Sequence, residues 1–447
     1  MLWCSSARAQ GIAAGANHSL FVCTDGTVKA CGQNTNGQLG DGTNQDRFTA
    51  LPVITLTGIV AVGAGQSHSL FVKNDGKAFS CGYNVRGQLG IGNTISVNYP
   101  VQVLTVTNVK AVSGGLEHSL FLKNDGTVWA CGSNDYGQLG DGTTTTHTSP
   151  IQIPGLTNVK AIAAGFTYSL FLKNDGTVWA CGDNVIGQLG DGTTTQRLSP
   201  VQVISLTSVA AIAAGTAHSL FVKTDGTAWA CGLNSKGQLG NGTTTSSSTR
   251  VQVTGLTGMV SAAAGYQHSL FRRSDGTVWS TGDNVDYQLG NNLVIERSTC
   301  AAVAGANGMT RVATGDNHSL CIQSNGTVWA FGYGQYGQLG SGSSGNLFVP
   351  NDLNGLCPVV TTIDELPASV SDISIYPNPF NGTFTFHVNS SMDSPVSIRI
   401  YDVVGKIVES FGVVNESIQA GANLKPGVYF IEVNKGDNPS RLKIVKQ

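Results

Sequence analysis

Charge is scarce in this chain. Asp, Glu, Lys and Arg together make up 12% of its 447 residues, about half the ~25% usual in globular domains. Net charge is −2 and no basic run occurs, so the electrostatic footprint of a nucleic-acid binder is missing. No stretch of about eighteen apolar residues is present, which excludes a membrane-spanning helix. Local signatures of catalysis are missing too: there is no nucleophile elbow, no phosphate-cradling loop and no zinc-spaced Cys/His cluster. The expectation is a protein without cofactor, metal or enzymatic activity.

Glycine, by contrast, is abundant, with 58 residues, implying many tight turns. The tripeptide His-Ser-Leu begins at residues 18, 68, 118, 218, 268 and 318, and Tyr-Ser-Leu begins at 168. A period of fifty residues without drift is the mark of one supersecondary unit copied in tandem. Within residues 151–200, short apolar and β-branched runs alternate with turn residues, and Asn174-Asp175-Gly176 is a strong hairpin signal. Each unit is therefore read as four short strands, here Ile151–Ile153, Val159–Ala163, Ser169–Leu172 and Thr177–Cys181. One such sheet cannot bury both faces alone, and radial repetition of seven gives an all-β fold, a seven-bladed β-propeller over residues 10–356. The propeller is expected to be monomeric.

The repeats Ala-Ala-Gly-x-x-His-Ser-Leu, Asp-Gly-Thr-Val-Trp-Ala-Cys-Gly and Asn-x-x-Gly-Gln-Leu-Gly resemble those of the regulator of chromosome condensation family. The resemblance covers about residues 10 to 356 and implies a seven-bladed propeller.

Ten cysteines are present, but Cys31, Cys81, Cys131, Cys181 and Cys231 occupy one equivalent position in five different repeats. Equivalent positions in neighbouring blades lie too far apart for a disulfide. These five are expected to be buried apolar residues rather than metal ligands. Cys4 and Cys357 flank the array where its ends should meet and are the expected pair. The repeated histidines read as structural, because Tyr168 replaces one of them and would be a poor metal ligand. Asp-Gly-Thr at 141 and 191 reads as a turn rather than a calcium loop.

Antiparallel order places the loop before each His and the loop after each Cys on one face of the propeller. Repeat-to-repeat variation concentrates there. The variable positions include Tyr83, Arg86, Glu117, Asp135, Tyr136, Phe166, Ile186, Lys236, Tyr266, Asp286, Tyr287, Asp316, Tyr333 and Tyr336, a set rich in tyrosine and single charges and suited to recognition. Neutral drift at exposed loops would need no ligand.

The period stops near 356. Residues 357–371 read as a linker, and residues 372–447 as a small Ig-like β-sandwich with strands Thr383–Val388, Val396–Tyr401, Lys406–Phe411, Gly427–Val433 and Arg441–Val445. Tyr376-Pro377-Asn378-Pro379-Phe380, Asp402-Val403-Val404-Gly405, Leu424-Lys425-Pro426-Gly427-Val428-Tyr429 and Lys443-Ile444-Val445-Lys446 make this segment similar to the C-terminal sorting domain of the type IX (Por) secretion system. The resemblance implies that machinery as a partner, export across the outer membrane of a Gram-negative bacterium, removal of the domain, and a location at the cell surface or in the medium. Ala7-Arg8-Ala9-Gln10 has the small-x-small pattern of a signal cleavage site without the regions that should precede it. Residues 1–9 are thus read as a truncated signal peptide or a disordered end.

These readings converge on a secreted or surface binding module for a protein or glycan. Inhibition of a secreted enzyme is the alternative, implied by a bacterial β-lactamase inhibitor with a similar propeller. Guanine-nucleotide exchange follows from family likeness alone, and the uniform spacing leaves no enlarged loop for it. An undetected hydrolase is the remaining reading.

Overall fold

The computed structural model describes residues 9–353, 356–357, 373–376, 381–388, 396–402, 407–414, 418–435 and 438–446. Two compact units are present, one within Ser5–Val359 and one within Val360–Gln447. Among the described residues there are strands and turns and no helix.

The first unit contains seven four-stranded antiparallel sheets, each built from one continuous stretch of chain. Blade 1 runs Ala9–Ala14, His18–Cys23, Val28–Gly32 and Arg47–Pro52, and blade 7 runs Met309–Thr314, His318–Gln323, Val328–Gly332 and Leu347–Asp352. The second and third strands are buried almost throughout, as in the His118–Lys123 and Val128–Gly132 pair, while the outer strand is mostly half-buried.

That weak outer strand corrects the phase read from sequence. Ile151 pairs with Ala130 and Gln152 with Trp129, so the strand His147–Gln152 closes the preceding blade rather than opening its own. Its sequence, His-Thr-Ser-Pro-Ile-Gln, carries little apolar signal, and a long turn-rich loop separates it from the strand it joins.

Neighbouring blades are locked by the repeated His-Ser. His18 Nε2 lies 3.0 Å from Ser69 Oγ, His68 2.9 Å from Ser119, His118 3.0 Å from Ser169, His218 3.0 Å from Ser269, His268 3.0 Å from Ser319, and His318 2.9 Å from Ser19. Each Ser hydroxyl donates its one proton to the backbone carbonyl of a Gln in the preceding repeat, as Ser119 does to Gln88 at 2.6 Å. The imidazole must therefore donate from Nε2, which fixes a proton on that nitrogen. Tyr168 fills the remaining place, donating to the His218 carbonyl at 2.5 Å with Ser219 Oγ 3.2 Å from its hydroxyl. The His ring also explains the glycine three residues earlier: a Cβ on Gly115 would sit 2.2 Å from His118 Cε1 and 2.5 Å from the Gly165 carbonyl.

Closure of the ring uses the same contact, His318 to Ser19, and among the described residues no strand is exchanged between the first and last blades. A disulfide joins Cys23 to Cys357. This corrects the Cys4–Cys357 pairing: Cys23 stands at the end of a blade 1 strand, directly beside the chain leaving blade 7, whereas Cys4 lies outside the described residues. Cys31, Cys81, Cys131, Cys181 and Cys231 are free and buried, each with Sγ 3.5–3.6 Å from a Gln carbonyl of the preceding repeat.

In the second unit, a sheet of Ile373–Tyr376, Phe384–Val388 and Ile418–Ala420 accompanies a sheet of Ile407–Val414, Val396–Tyr401, Gly427–Lys435 and Asn438–Lys446. Phe384, Phe386, Ile398, Ile400, Leu424, Tyr429 and Ile431 from both sheets share one core, the arrangement of a small sandwich.

Two outcomes follow from these locks. Burial holds the imidazoles far below their ordinary 6.5, at about 4 for His18 and His218 and about 3 for His68, His118, His268 and His318. The unfolded chain takes up these protons from pH ~6.5 downward and the folded chain does not, so stability is complete above that pH and falls as pH drops toward 4. Chemical unfolding at pH 7.5, 6 and 4.5, above most of the carboxylate range, should show a falling midpoint; a flat profile would disprove the neutral ring. Second, Cys23→Ser should lower stability by about 2–4 kcal/mol, read as a shift in the urea midpoint under non-reducing conditions.

Candidate functional site

The innermost strands of the seven blades converge on a channel of about 390 Å3. Its wall is nearly all small or apolar: Ile12, Val62, Val112, Ile162, Ile212 and Val312 line one level, alanines and glycines the next, and a Gly from each repeat the level of the His ring. Seven backbones meeting at one axis leave space for little else. At the end beyond those glycines the wall changes to Ala16, Gln66, Leu116, Phe166, Thr216 and Asp316. Backbone bonds hold this rim from blade to blade, including Gln66 N–H to the Gly115 carbonyl, Leu116 N–H to Phe166, Tyr266 N–H to Asp316 and Asp316 N–H to Ala16.

The long loops after the third strand emerge on the same face and brace themselves. In blade 3, Asn134 Nδ2 donates to Asp141 Oδ1 at 2.9 Å and to the Thr143 carbonyl at 3.0 Å, while its Oδ1 accepts from Leu139 N–H. Gln138 Oε1 accepts from Tyr136 N–H. With Asn and Gln turned inward, Asp135 and Tyr136 are left exposed, two of the three residues between them, and Gly137 is buried. The Asp-Gly-Thr turns are consumed by the same network. Burial opposes the charge of Asp191, yet hydrogen bonds from Thr193, Arg197 and Asn184 hold its carboxyl below the usual range. Asp141 is bound alike by Thr143, Asn134 and His147. No group of His, Cys, Asp and Glu among the described residues is arranged to hold a metal.

The variable residues fall into local groups on this face. Arg86 bridges Asp135 at 2.8 Å and Glu117 at 3.6 Å. Lys236 pairs with Glu296 at 2.8 Å and with Asp283 at 4.0 Å. Asp286 accepts from Asn317 at 3.0 Å and from Asn346 at 3.3 Å. Burial and then the neighbouring Asp283 charge raise its carboxyl above the ordinary value, against those two hydrogen bonds. Tyr333 and Tyr336 meet edge to face at 6.2 Å, and burial, Tyr336 and Asp286 raise the Tyr333 phenol. Leu116, Phe166 and Asp316 stand at the channel mouth beside exposed Tyr266. Tyr83 and Ile186 lie half-buried in the long loops of blades 2 and 4.

Tyr287 is unlike the others. In six repeats its position is a glycine with φ between +76° and +84°; Tyr287 adopts φ +65°. A left-handed tyrosine stores about 1–2 kcal/mol of strain, and its ring packs at 4.4 Å against Phe348 of blade 7. The same loop carries Leu293, Val294 and Ile295, exposed by 45, 56 and 63%, where three other repeats have Thr-Thr-Thr. Reading the long loops around their Asn overlooked these residues, Phe348 and Asn346. The loss of the repeat glycine at 287 was the available signal.

In the sandwich, Tyr429 is buried and its hydroxyl donates to the Lys425 carbonyl at 2.8 Å, the back-bonding of a tyrosine corner. Gly427 starts that strand. Lys446 is buried, with Nζ donating to the carbonyls of Gly421 at 2.7 Å and Ala422 at 3.1 Å. Tyr376 ends the first strand and Lys443 lies in the last, while Pro377, Asn378, Pro379, Phe380 and Gly405 lie outside the described residues.

Seven self-braced blades around a narrow channel, followed by a small sandwich, define a repeat β-propeller with a C-terminal accessory domain. The chain belongs to the RCC1-like domain family, which matches residues 4–211 and 157–366; residues 374–447 match the secretion system C-terminal sorting domain. That tail marks the protein for export by the type IX machinery. Yeast RCC1 (Prp20), solved bound to Kap60, is similar with TM-score 0.67 and 20% identity over 83% of this chain and 87% of its own. Prp20p from Saccharomyces cerevisiae, described with its binding to Gsp1p and histones, gives 0.64 and 19% over 83% and 89%. Human WBSCR16 gives 0.62 and 22% over 71% and 91%. At these identities the likeness shows the fold alone. Comparison with curated protein sequences gives no match.

Strain and ring contact oppose each other at Tyr287. Tyr287→Gly should change stability by less than about 1 kcal/mol, since an aromatic pair contributes about 0.5–1.5 kcal/mol. At the equivalent glycine of blade 5, a Cβ on Gly237 would lie 2.4 Å from Ser298 Cα, so Gly237→Tyr should cost about 3 kcal/mol or more. Denaturant unfolding of both variants checks the pair.

Proposed function

We propose that the protein is an exported recognition module that binds a protein or glycan through the variable face of its propeller. It acts at the outer surface of a Gram-negative bacterium or in the medium, as a monomer, by binding rather than catalysis. The observation carrying this reading is the separation of constant and variable positions. Asn, Gln, His, Ser and Gly repeat because they brace the loops and blades, while the residues they push outward vary among the repeats. Tyrosines, a phenylalanine and single charges on a rigid face are the chemistry of binding hot spots.

Exchange on a GTPase is less well supported. All seven repeats keep one length, which leaves no enlarged loop, and the sorting tail directs the chain away from an intracellular partner. Inhibition of a secreted enzyme remains a special case of the proposed binding.

Capture from host and bacterial surface extracts tests it, with the full chain as bait beside a variant carrying Tyr83→Ala, Phe166→Ala and Tyr266→Ala. The wild-type chain should retain a partner that the variant loses or holds at least roughly ten-fold more weakly. Equal capture by both baits, or capture by neither, would sink the proposal. Should the partner be an enzyme, loss of its turnover on binding identifies inhibition.

A further inference from the structure

The channel mouth has a chemistry of its own. Of the residues lining the channel, Asp316 alone is ionisable. It is fixed at the rim by its backbone, its N–H bonded to the Ala16 carbonyl and its own carbonyl to Tyr266 N–H. Although partly exposed, its carboxyl is crowded by protein, and burial pushes its pKa up to about 6. Among the described residues no group donates a hydrogen bond to that carboxylate or pairs with it. Every other variable-face acid with a described carboxylate contact, including Asp135, Glu117, Asp283 and Asp286, has a cation or an amide beside it. Beneath Asp316 the wall is peptide backbone and small side chains, mostly alanine methyls and glycine with the Ser113 and Thr314 hydroxyls among them, and Phe166 and Leu116 stand on the rim with it.

An unpaired, partly desolvated carboxylate at the rim of a narrow shaft walled by backbone and small side chains is complementary to a cation on a slender, unbranched stem. We infer that the channel mouth is a specificity pocket for a lysine or arginine side chain presented by a loop of a protein partner, with Asp316 as its counter-charge. The stem lies against the alanine-rich wall, as long basic side chains do on apolar surface. The head group forms a charge-assisted hydrogen bond with Asp316, and Phe166 and Tyr266 border it where aromatic faces favour a cation. The channel volume is within the ordinary range of small-ligand pockets. This inference rests on the reading of the variable face as the binding face, and it favours a protein over a neutral glycan.

The test is titration of the full-length chain, methyl-labelled at alanine and isoleucine, with N-acetyl-lysine methylamide and N-acetyl-arginine methylamide. N-acetyl-norleucine methylamide, uncharged, and cellotriose, a neutral oligosaccharide, serve as comparisons. Both basic probes should shift the channel methyls, such as those of Ala14, Ala164 and Ala214, and norleucine should not. Asp316→Asn, nearly isosteric, should weaken the basic probes at least about ten-fold while leaving the unfolding midpoint close to wild type at pH 7.5. Asp316→Lys should abolish binding. Equal shifts by lysine and norleucine, equal binding by Asp316→Asn and wild type, no channel shift by any basic probe, or a shift by cellotriose alone would each overturn the pocket. If the pocket fails while the aromatic variant still loses its captured partner, the binding face stands and only its basic ligand is removed.

Discussion

One hydrogen bond, copied around a circle, holds the propeller to its shape. In six of the seven repeats the imidazole donates to the serine of the next, and that serine passes its proton to a glutamine carbonyl of the preceding repeat. Each serine thus ties together the inner strand of its own blade, the ring of the blade before it and the loop that the glutamine anchors. The bond reaches across 51 positions at five of its six histidine junctions and closes between His318 and Ser19 in the same geometry. Burial is what keeps the imidazole neutral, and the neutral ring with its proton on Nε2 still supplies the donor that the serine needs.

This constraint accounts for the strict period. The strands and turns between one His and the next Ser must return the chain to the same height at the axis, so length changes are poorly tolerated along that path. The glycine three residues before the His is bound by the same geometry, because the ring occupies the space a Cβ would need. Tyr168 shows what the lock can accommodate. Its ring lies over Gly165 as the imidazoles lie over theirs, and its hydroxyl reaches the next blade. Its donor goes to the His218 backbone, while Ser219 gives its proton to the Gln188 carbonyl at 2.6 Å as the other serines do to theirs.

Much of this was legible in the sequence because it repeats. The period, the hairpin turns and the inner strands are each written seven times, so the propeller and the identity of its variable face could be read directly. The outer strand could not, since half-exposed segments such as Ser-Ser-Thr-Arg-Val-Gln carry no apolar alternation. Nor could the disulfide partner of Cys357: Cys23 sits within a repeat, at a strand end whose nearness to the departing chain depends on how the ring closes. At the candidate site the residue types were visible, but not which would meet. The Arg86, Glu117 and Asp135 group draws on three loops from blades 2 and 3, and the bond from Asn317 to Asp286 crosses from one blade to the next. Such pairings are set by blade spacing, which no local pattern encodes.

Rigidity at the constant positions gives the variable ones their value. A side chain held on a braced loop loses little freedom on binding, so more of its contact energy remains as affinity. Among these positions the acids differ in what a partner must displace. Arg86 already satisfies Asp135 and Glu117, so a ligand gains little by replacing it at an exposed site. Asp316 has no such internal partner, and its charge is already partly removed from water by the fold rather than by the ligand. A cation arriving there meets a carboxylate that folding has already partly desolvated. That asymmetry, more than the number of acids on the face, makes the channel mouth the place where charge can contribute to specificity.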